Sequence, residues 1–489
     1  MLSSCMVVKT YFLKKAHCHR GVGVSLLCCT CCTAAYSAAS ADSCLFYHYG
    51  FIVFVQSCRS YTSPTLNNNK TIIYTFEQQW LCQKHWRLLF RQKQVAINNI
   101  EFKSEQKKGD SYLSTVNAFT VKAHGKDKSN HEEKVISFPI LSKSLPSNIG
   151  WRNTFRSADF FRNEVIFYNK VWKAMNDFQM SKNTKVPFHA IPLYICGLAD
   201  GTNDYIALEN LNTKGFYGLT RSGGLDLEHT QQIMRIFARF HALALAFKDQ
   251  KPKEFEEVAN SLEETYFSEK YRSWYSNFQI NNLFPIVCDA VEKELPQMYM
   301  EKLKNLFAND FYGKLIEYCA TKGPLAVITH GDAWAPNFLL KYDNNNTLID
   351  AMMIDFQLTR YASLALDISF FLYSCTEQSL RLSHWDFLIE DYYKTFVSVL
   401  EDLGSSSELL TLDSLKAEIK ACALFGVGMS MEAIAMSLLE DDEVADLEGI
   451  GGDEYIPLEK VWILNPLKTE KKRQRLAYMI KHAVDNGFM

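Results

Sequence analysis

The sequence predicts an α+β protein built as two lobes, a small β-rich lobe followed by a larger helical one. Three observations carry that reading. β-type runs with alternating side chains concentrate before residue 210, helical apolar spacing dominates after residue 225, and no internal repeat is visible. The chain has 489 residues, 47% of them apolar, which allows two to four domains or one large bilobal one. Lys and Arg number 52 against 55 Asp and Glu, a net charge of −3 that argues against gripping nucleic acid as the main task.

The first 80 residues stand apart. Eight of the 14 cysteines lie before residue 60, and Cys28, Cys29, Cys31 and Cys32 lack zinc-finger spacing. Lys9, Lys14, Lys15 and Arg20 precede 21 uncharged residues that run to Asp42. That pattern fits a targeting segment, a membrane anchor over residues 21–41, or an extension with no part in the fold. The remaining six cysteines are scattered singly, as reduced core thiols are, so a cytoplasmic body is expected.

The globular pattern begins near residue 80. Tyr112–Val121 and Val135–Leu141 read as strands, Ala158–Met175 as a helix, and Ala190–Cys196 and Tyr205–Glu209 as short strands. Helices are expected at Leu227–Phe247, Tyr271–Asn282, Gln297–Phe307, Trp385–Leu403, Leu412–Leu439 and Lys471–Val484. The lobes divide as residues 83–208 and 209–489.

The most informative stretch follows the apolar run Leu325–Ile328. It reads Thr329-His330-Gly331-Asp332-Ala333-Trp334-Ala335-Pro336-Asn337. Phe338–Tyr342 reads as a strand, Asp343–Thr347 as a turn and Leu348–Ile354 as the return strand, with Asp355-Phe356-Gln357 next. Pairing Tyr342 near Asp350 sets Phe338 opposite Ile354 and brings Asn337 beside Asp355, with Asp332 in the loop feeding that end. Two carboxylates and a carboxamide in one small volume call for a cation. Such oxygen ligands suit Mg²⁺ carrying phosphate. An H-x-D-x-x-x-x-N spacing with an Asp-Phe after a hairpin is a kinase-type phosphotransfer layout. Asp332 would then orient the acceptor hydroxyl and take its proton, while Asn337 and Asp355 hold Mg²⁺ on ATP. The competing explanation is a solvated polar loop, which the His-Gly-Asp alone would permit and the full pattern disfavours.

These residues resemble the ecdysteroid kinase-like (CHK kinase-like) family of the aminoglycoside and choline kinase clan. The likeness rests on His330-Gly331-Asp332-x-Trp334-x-x-Asn337, on Asp355-Phe356-Gln357, and on Arg360-Tyr361-x-Ser363-x-x-x-Asp367, and it extends from about residue 83 onward. It implies a bilobal protein-kinase-like fold and a small-molecule rather than a protein acceptor. Lys143, ending a strand before Leu145-Pro146, resembles the family's phosphate-binding lysine. Phe160, Glu164, Phe167, Tyr168 and Val171 fall on one helical face, so Glu164 needs a partner there, and Lys143 is the natural one.

Gly109-Asp110-Ser111-Tyr112-Leu113-Ser114 resembles the family's phosphate-covering loop, with Ser111 and Ser114 as donors, although an ordinary hairpin turn reads the same way. Glu209-Asn210-Leu211 resembles the hinge whose backbone bonds adenine. The likeness makes Asp367 and His330 supports of the loop rather than chemical participants. His241 reads as a core residue, and Trp334 and Arg360 are open between substrate and loop contacts. The implied activity is an ATP- and Mg²⁺-dependent transfer of the γ-phosphoryl to a hydroxyl of a small metabolite, ecdysteroid-like or another alcohol. The alternative is an inactive pseudokinase that only holds nucleotide or an apolar ligand. Phe370, Phe371, Tyr373, Trp385, Phe387, Tyr392 and Tyr393 are candidate walls for an apolar acceptor, or core.

Overall fold

The computed structural model describes residues 95–105, 114–127, 133–220, 223–440, 443, 447, 450 and 452–489. The cysteine-rich start and its candidate anchor, the proposed linker near residues 60–70, and Ser111 with most of its loop lie outside the described residues.

The first lobe is an antiparallel sheet. Its strands are β1 (Val95–Glu105), β2 (Thr115–Asp127), β3 (Glu133–Ser144), β4 (Tyr194–Leu198) and β5 (Tyr205–Glu209), in the order β1-β2-β3-β5-β4. β3 reaches further than its apolar run because backbone pairing continues past Leu141. Lys143 lies opposite Val116 on one side and Ile206 on the other. Side chains alternate along a strand, so Leu141 and Lys143 share a face. That face lines the main cavity.

Between β3 and β4 run α1 (Ile149–Phe155), α2 (Ser157–Ile166) and α3 (Lys173–Met180). α1 begins where Asn148 accepts a hydrogen bond from the Trp151 amide. The single helix expected at Ala158–Met175 is longer, and a π-helical turn, Phe167–Trp172, interrupts it. The extra residue of that turn does not spoil the apolar stripe: Phe160, Glu164, Phe167, Tyr168 and Val171 are all buried.

The chain crosses to the helical lobe after β5. There β6 (Phe216–Gly218), β8 (Phe338–Tyr342) and β9 (Leu348–Met353) form a three-stranded sheet, and β7 (Ala326–Thr329) pairs with β10 (Arg360–Ser363). The helices are α4 (Leu227–Gln250), α5 (Pro252–Ala259), α6 (Arg272–Phe278), α7 (Phe284–Glu294), α8 (Gln297–Ala308) and α9 (Phe311–Ala320), then α10 (Ala365–Cys375), α11 (Gln378–Asp402), α12 (Leu412–Ser437), α13 (Leu458–Val461) and α14 (Glu470–Asp485). α1, α5, α7, α9 and α13 have no counterpart among the expected elements, and β4 starts four residues later than expected.

α10 is buried along its whole length against α12. Gly426 sets how close they come: a Cβ there would lie 2.3 Å from the Ser369 carbonyl carbon. α12 lies within the stretch Ser407–Ser437, whose length and hydropathy suit a membrane span, but 78% of its apolar window is buried in the lobe's own core. Cys196, Cys288, Cys319, Cys375 and Cys422 are free thiols.

Candidate active site

The β8–β9 hairpin carries the expected site to one place, with its register one residue off the expected pairing. Phe338 lies opposite Met353, not Ile354, and Lys341 opposite Asp350. The difference comes from the turn: Tyr342 pairs with Leu348, two residues short of the expected Asp350, and a bulge between Lys341 and Tyr342 recovers one of the two. Asn337 and Asp355 still meet at the open end, because the Ile354 amide donates to the Asn337 carbonyl at 3.0 Å.

Both lobes line a cavity of about 500 Å³. Leu141 and Lys143 enter from β3, Leu208 to Asn212 from the connection after β5, and Asp332, Asn337, Asp355 and Gln357 from the loops around the hairpin. Lys143 is its electrostatic centre, with Nζ 2.8 Å from Glu164 Oε2 and 2.7 Å from Asp355 Oδ1. Burial opposes the ammonium charge, but Asp355 and Glu164 outweigh it and hold the Lys143 pKa above its ordinary value.

Asp355 itself sits at φ 68°, a left-handed conformation that costs a non-glycine residue roughly 1–3 kcal/mol. The next residue anchors it: the Phe356 ring stacks on Phe167 at 3.9 Å and 7°.

Asp332 faces the same space. Burial, then the charge of Asp355, push its carboxyl up to about 7, against hydrogen bonds from Asn337 and Gln357. Gln357 Nε2 stands 3.4 Å from Asp332 Oδ2. Asn337 gives its amide nitrogen to the Asp332 carbonyl at 3.0 Å, so its side-chain oxygen is the atom it can offer a cation. Among the described residues, no three or more His, Cys, Asp or Glu side chains gather as a metal cage. Two carboxylates and one amide oxygen instead fit a hard cation that completes its shell with phosphate oxygens and water.

The loop carrying Asp332 is fixed from below. Asp367 Oδ2 accepts the His330 amide at 2.6 Å and Oδ1 accepts the Gly331 amide at 2.9 Å, while His241 Nε2 lies 3.0 Å from Oδ2. Burial works against the Asp367 charge, yet these donors lower its pKa. Asp367 is therefore not the N-cap of α10, a position Leu364 holds.

His330 Nδ1 accepts the Asp332 amide at 3.2 Å, which leaves the proton on Nε2 for the Ile354 carbonyl at 2.9 Å. Burial lowers the His330 pKa, in keeping with a neutral ring. Gly331 has φ 84°, and a Cβ on it would stand 1.9 Å from the Leu358 carbonyl oxygen. Arg360 is a loop contact: its Nε pairs with Glu264 at 2.6 Å and its Nη1 reaches the Gly331 carbonyl.

The remaining expected residues fall as follows. Leu211 lines the cavity, and so does Glu209, although its carboxylate turns to the Leu193 amide at 2.9 Å and to Lys214. Asn210 Oδ1 accepts the Asn212 amide at 3.1 Å, a bond an Asp would make equally. Ser114 is buried just before β2, near the cavity-lining Val116. His241 is a buried bridge between Asp367 and Tyr392. Trp334 lines the cavity.

Of the aromatics offered as acceptor walls, Phe370 lines the cavity, whereas Phe371, Tyr373 and Tyr392 are fully buried in the core. The cavity wall away from Lys143 also includes Phe160, Tyr266, Trp274, Met429, Glu432 and Met436. Sequence reasoning missed these because they come from distant helices with no shared motif. The one available signal was Glu432 as a lone acid in an otherwise apolar stretch of α12.

Residues 108–405, more than half the chain, match the sequence profile of the ecdysteroid kinase-like family. The chain belongs to the ecdysteroid kinase-like family. That places it among small-molecule-kinase-like proteins with a bilobal α+β fold. No curated protein matches this ecdysteroid kinase-like chain. Among solved structures, it is similar to the GDP and kanamycin complex of APH(2")-IIia at 13% identity and a TM-score of 0.32, covering 70% of this chain and 88% of that one. It is also similar to the GDP complex of a mutant aminoglycoside 2'-phosphotransferase-IIIa at 14% identity and a TM-score of 0.34, covering 82% of this chain and 97% of that one.

Proposed function

We propose that this protein is an ATP- and Mg²⁺-dependent kinase that transfers the γ-phosphoryl group to a hydroxyl of a small, largely apolar metabolite, an ecdysteroid-like alcohol or another. The observation that carries the reading is the Lys143–Glu164–Asp355 network facing Asp332 across one cavity. In the free protein Lys143 neutralises Asp355 directly. With nucleotide bound, Glu164 retains Lys143 for the α- and β-phosphates while Asp355 and Asn337 hold the metal. Mg²⁺ supplies charge neutralisation on the phosphate oxygens.

Asp332 hydrogen-bonds the acceptor hydroxyl and takes its proton as the oxygen bonds to phosphorus. The bond from phosphorus to the β-phosphate oxygen breaks, and ADP leaves. A base near pH 7 is well matched to that task. The rest is positioning: Asp367, His330 and Arg360 fix the loop, and Leu141, Leu208 and Leu211 offer apolar surface and backbone to a purine.

The test is incubation with γ-labelled ATP, Mg²⁺ and a panel of hydroxylated metabolites. Labelled product is expected with the native chain. Asp332→Asn should abolish it with ATP binding kept, and Asp355→Asn should weaken Mg²⁺–ATP binding. Full activity in either variant refutes the assignment, and ATP binding with no transfer to any acceptor favours an inactive binding module.

A further inference from the structure

Glu432 is the polar group of the cavity that phosphoryl transfer leaves without a task. It projects from α12 into the part of the cavity walled by the helical lobe, beside Met429, Ala433 and Met436. Tyr266 Oη donates to it, 2.9 Å from each carboxylate oxygen, and Tyr275 Oη donates to Oε2. Both tyrosines are buried, whereas Glu432 is only half-buried. The cavity lies at its open face.

No Lys or Arg among the described residues is ion-paired with Glu432. Burial raises its pKa, with the two tyrosine hydroxyls opposing. Its charge also reaches Asp332 and adds to the upward shift there. Two carboxylates thus face one acceptor space whose other walls are apolar. A carboxylate has about four acceptor positions, and the tyrosines leave at least one toward the cavity.

We propose that Glu432 is a specificity-determining residue that accepts a hydrogen bond from a second, uncharged hydroxyl of the acceptor while the first hydroxyl lies at Asp332. The inference rests on the kinase reading and narrows the acceptor to an apolar diol. Anionic acceptors are repelled by both acids. Glu432 already takes O–H donors, from Tyr266 and Tyr275, and Phe160, Trp274, Met429 and Met436 around it offer contact surface to an apolar skeleton; an ammonium in place of the second hydroxyl is the rival that the test below separates.

The test uses matched probes on one rigid apolar skeleton: androstane-3,17-diol, the corresponding 3-ol, and a 3-ol bearing a 17-amine. Thermal shift reads binding, and label transfer from ATP reads turnover. The native protein is expected to favour the diol over the mono-ol by roughly 10-fold or more, as suits a hydrogen bond to a charged group. Glu432→Gln, which keeps one carbonyl acceptor, should lower that ratio severalfold, and Glu432→Leu should collapse it toward one. Tyr275→Phe, which loosens the carboxylate without removing it, should lower the ratio partway.

An unchanged ratio in Glu432→Gln, a preference for the amine, or no binding of the diol overturns the proposal. Glu432-dependent diol binding with no transfer keeps this assignment and refutes the kinase reading instead. Transfer without Glu432-dependent discrimination does the reverse.

Discussion

Replacing Glu164 by Gln tests how the lysine is held. The substitution keeps the side-chain volume and one carbonyl acceptor but removes the charge that stands 2.8 Å from Lys143 Nζ. A hydrogen bond to a charged group contributes about 1.5–3 kcal/mol, which at about 1.4 kcal/mol per tenfold corresponds to roughly 10- to 150-fold. In the free protein Lys143 retains Asp355 at 2.7 Å, so the fold keeps its second ion pair. In the proposed nucleotide complex Asp355 would turn to the metal, leaving Glu164 as the remaining partner. The loss should therefore appear in kcat/KM for ATP more than in the melting temperature. Steady-state kinetics with ATP varied at saturating acceptor, beside a thermal melt, separates the two. A kcat/KM for ATP within twofold of the native value refutes the idea that Glu164 positions Lys143.

Four further outcomes are expected. Asp332 is raised to about 7 by burial and by Asp355, so kcat/KM should climb as pH rises through 7 and level off above it; a flat profile from pH 6 to 8 contradicts its role as base. The same shift has a stability consequence: the folded chain keeps a proton that the unfolded chain releases near pH 4, so this group destabilises the fold progressively as pH rises from about 4 to 7. Asp332→Asn should then gain more melting temperature relative to the native chain at pH 8 than at pH 5. Gly331→Ala, with no room beside the Leu358 carbonyl and a φ of 84°, should cost transfer almost completely, and an active variant with a native melt would refute the close approach. Asp367→Asn offers one acceptor where three donors converge; it should lower stability by roughly 3–5 kcal/mol, the scale for breaking a buried charged network, measured by denaturant unfolding at pH 7.

The part of the site written in local spacing was legible in the sequence. His330 to Asp355 spans one hairpin, and turn chemistry with strand alternation was enough to bring Asn337 beside Asp355. The register error arose at the turn, which closes two residues tighter than expected at Tyr342–Leu348, and the Lys341/Tyr342 bulge, which alternation does not encode, takes back one of them. Glu164 was found because an acid on an apolar helical face demands a partner. The π-helical turn beyond it left no mark on that stripe.

The far wall of the cavity was not legible, because Tyr266 in the loop after α5 and Trp274 on α6 meet Met429 and Glu432 of α12 only through packing across more than a hundred residues. Aromatic density misled for the same reason. Tyr373 and Tyr392 read as an apolar ligand surface but face neighbouring helices of the lobe's core, where Tyr392 bonds His241 of α4 and Tyr373 bonds His482 of α14.

The parallel stack of Phe356 on Phe167 ties the helix that carries Glu164 to the segment that carries Asp355. α2 cannot swing outward with Glu164 unless the Phe356 ring is dragged along or unstacked, and Asp355 precedes that ring directly. A control device that throttled this protein by displacing the helix would have to break an ion pair and a ring contact in one motion. Letting go of Lys143 is therefore costlier here than parting an ion pair alone would be.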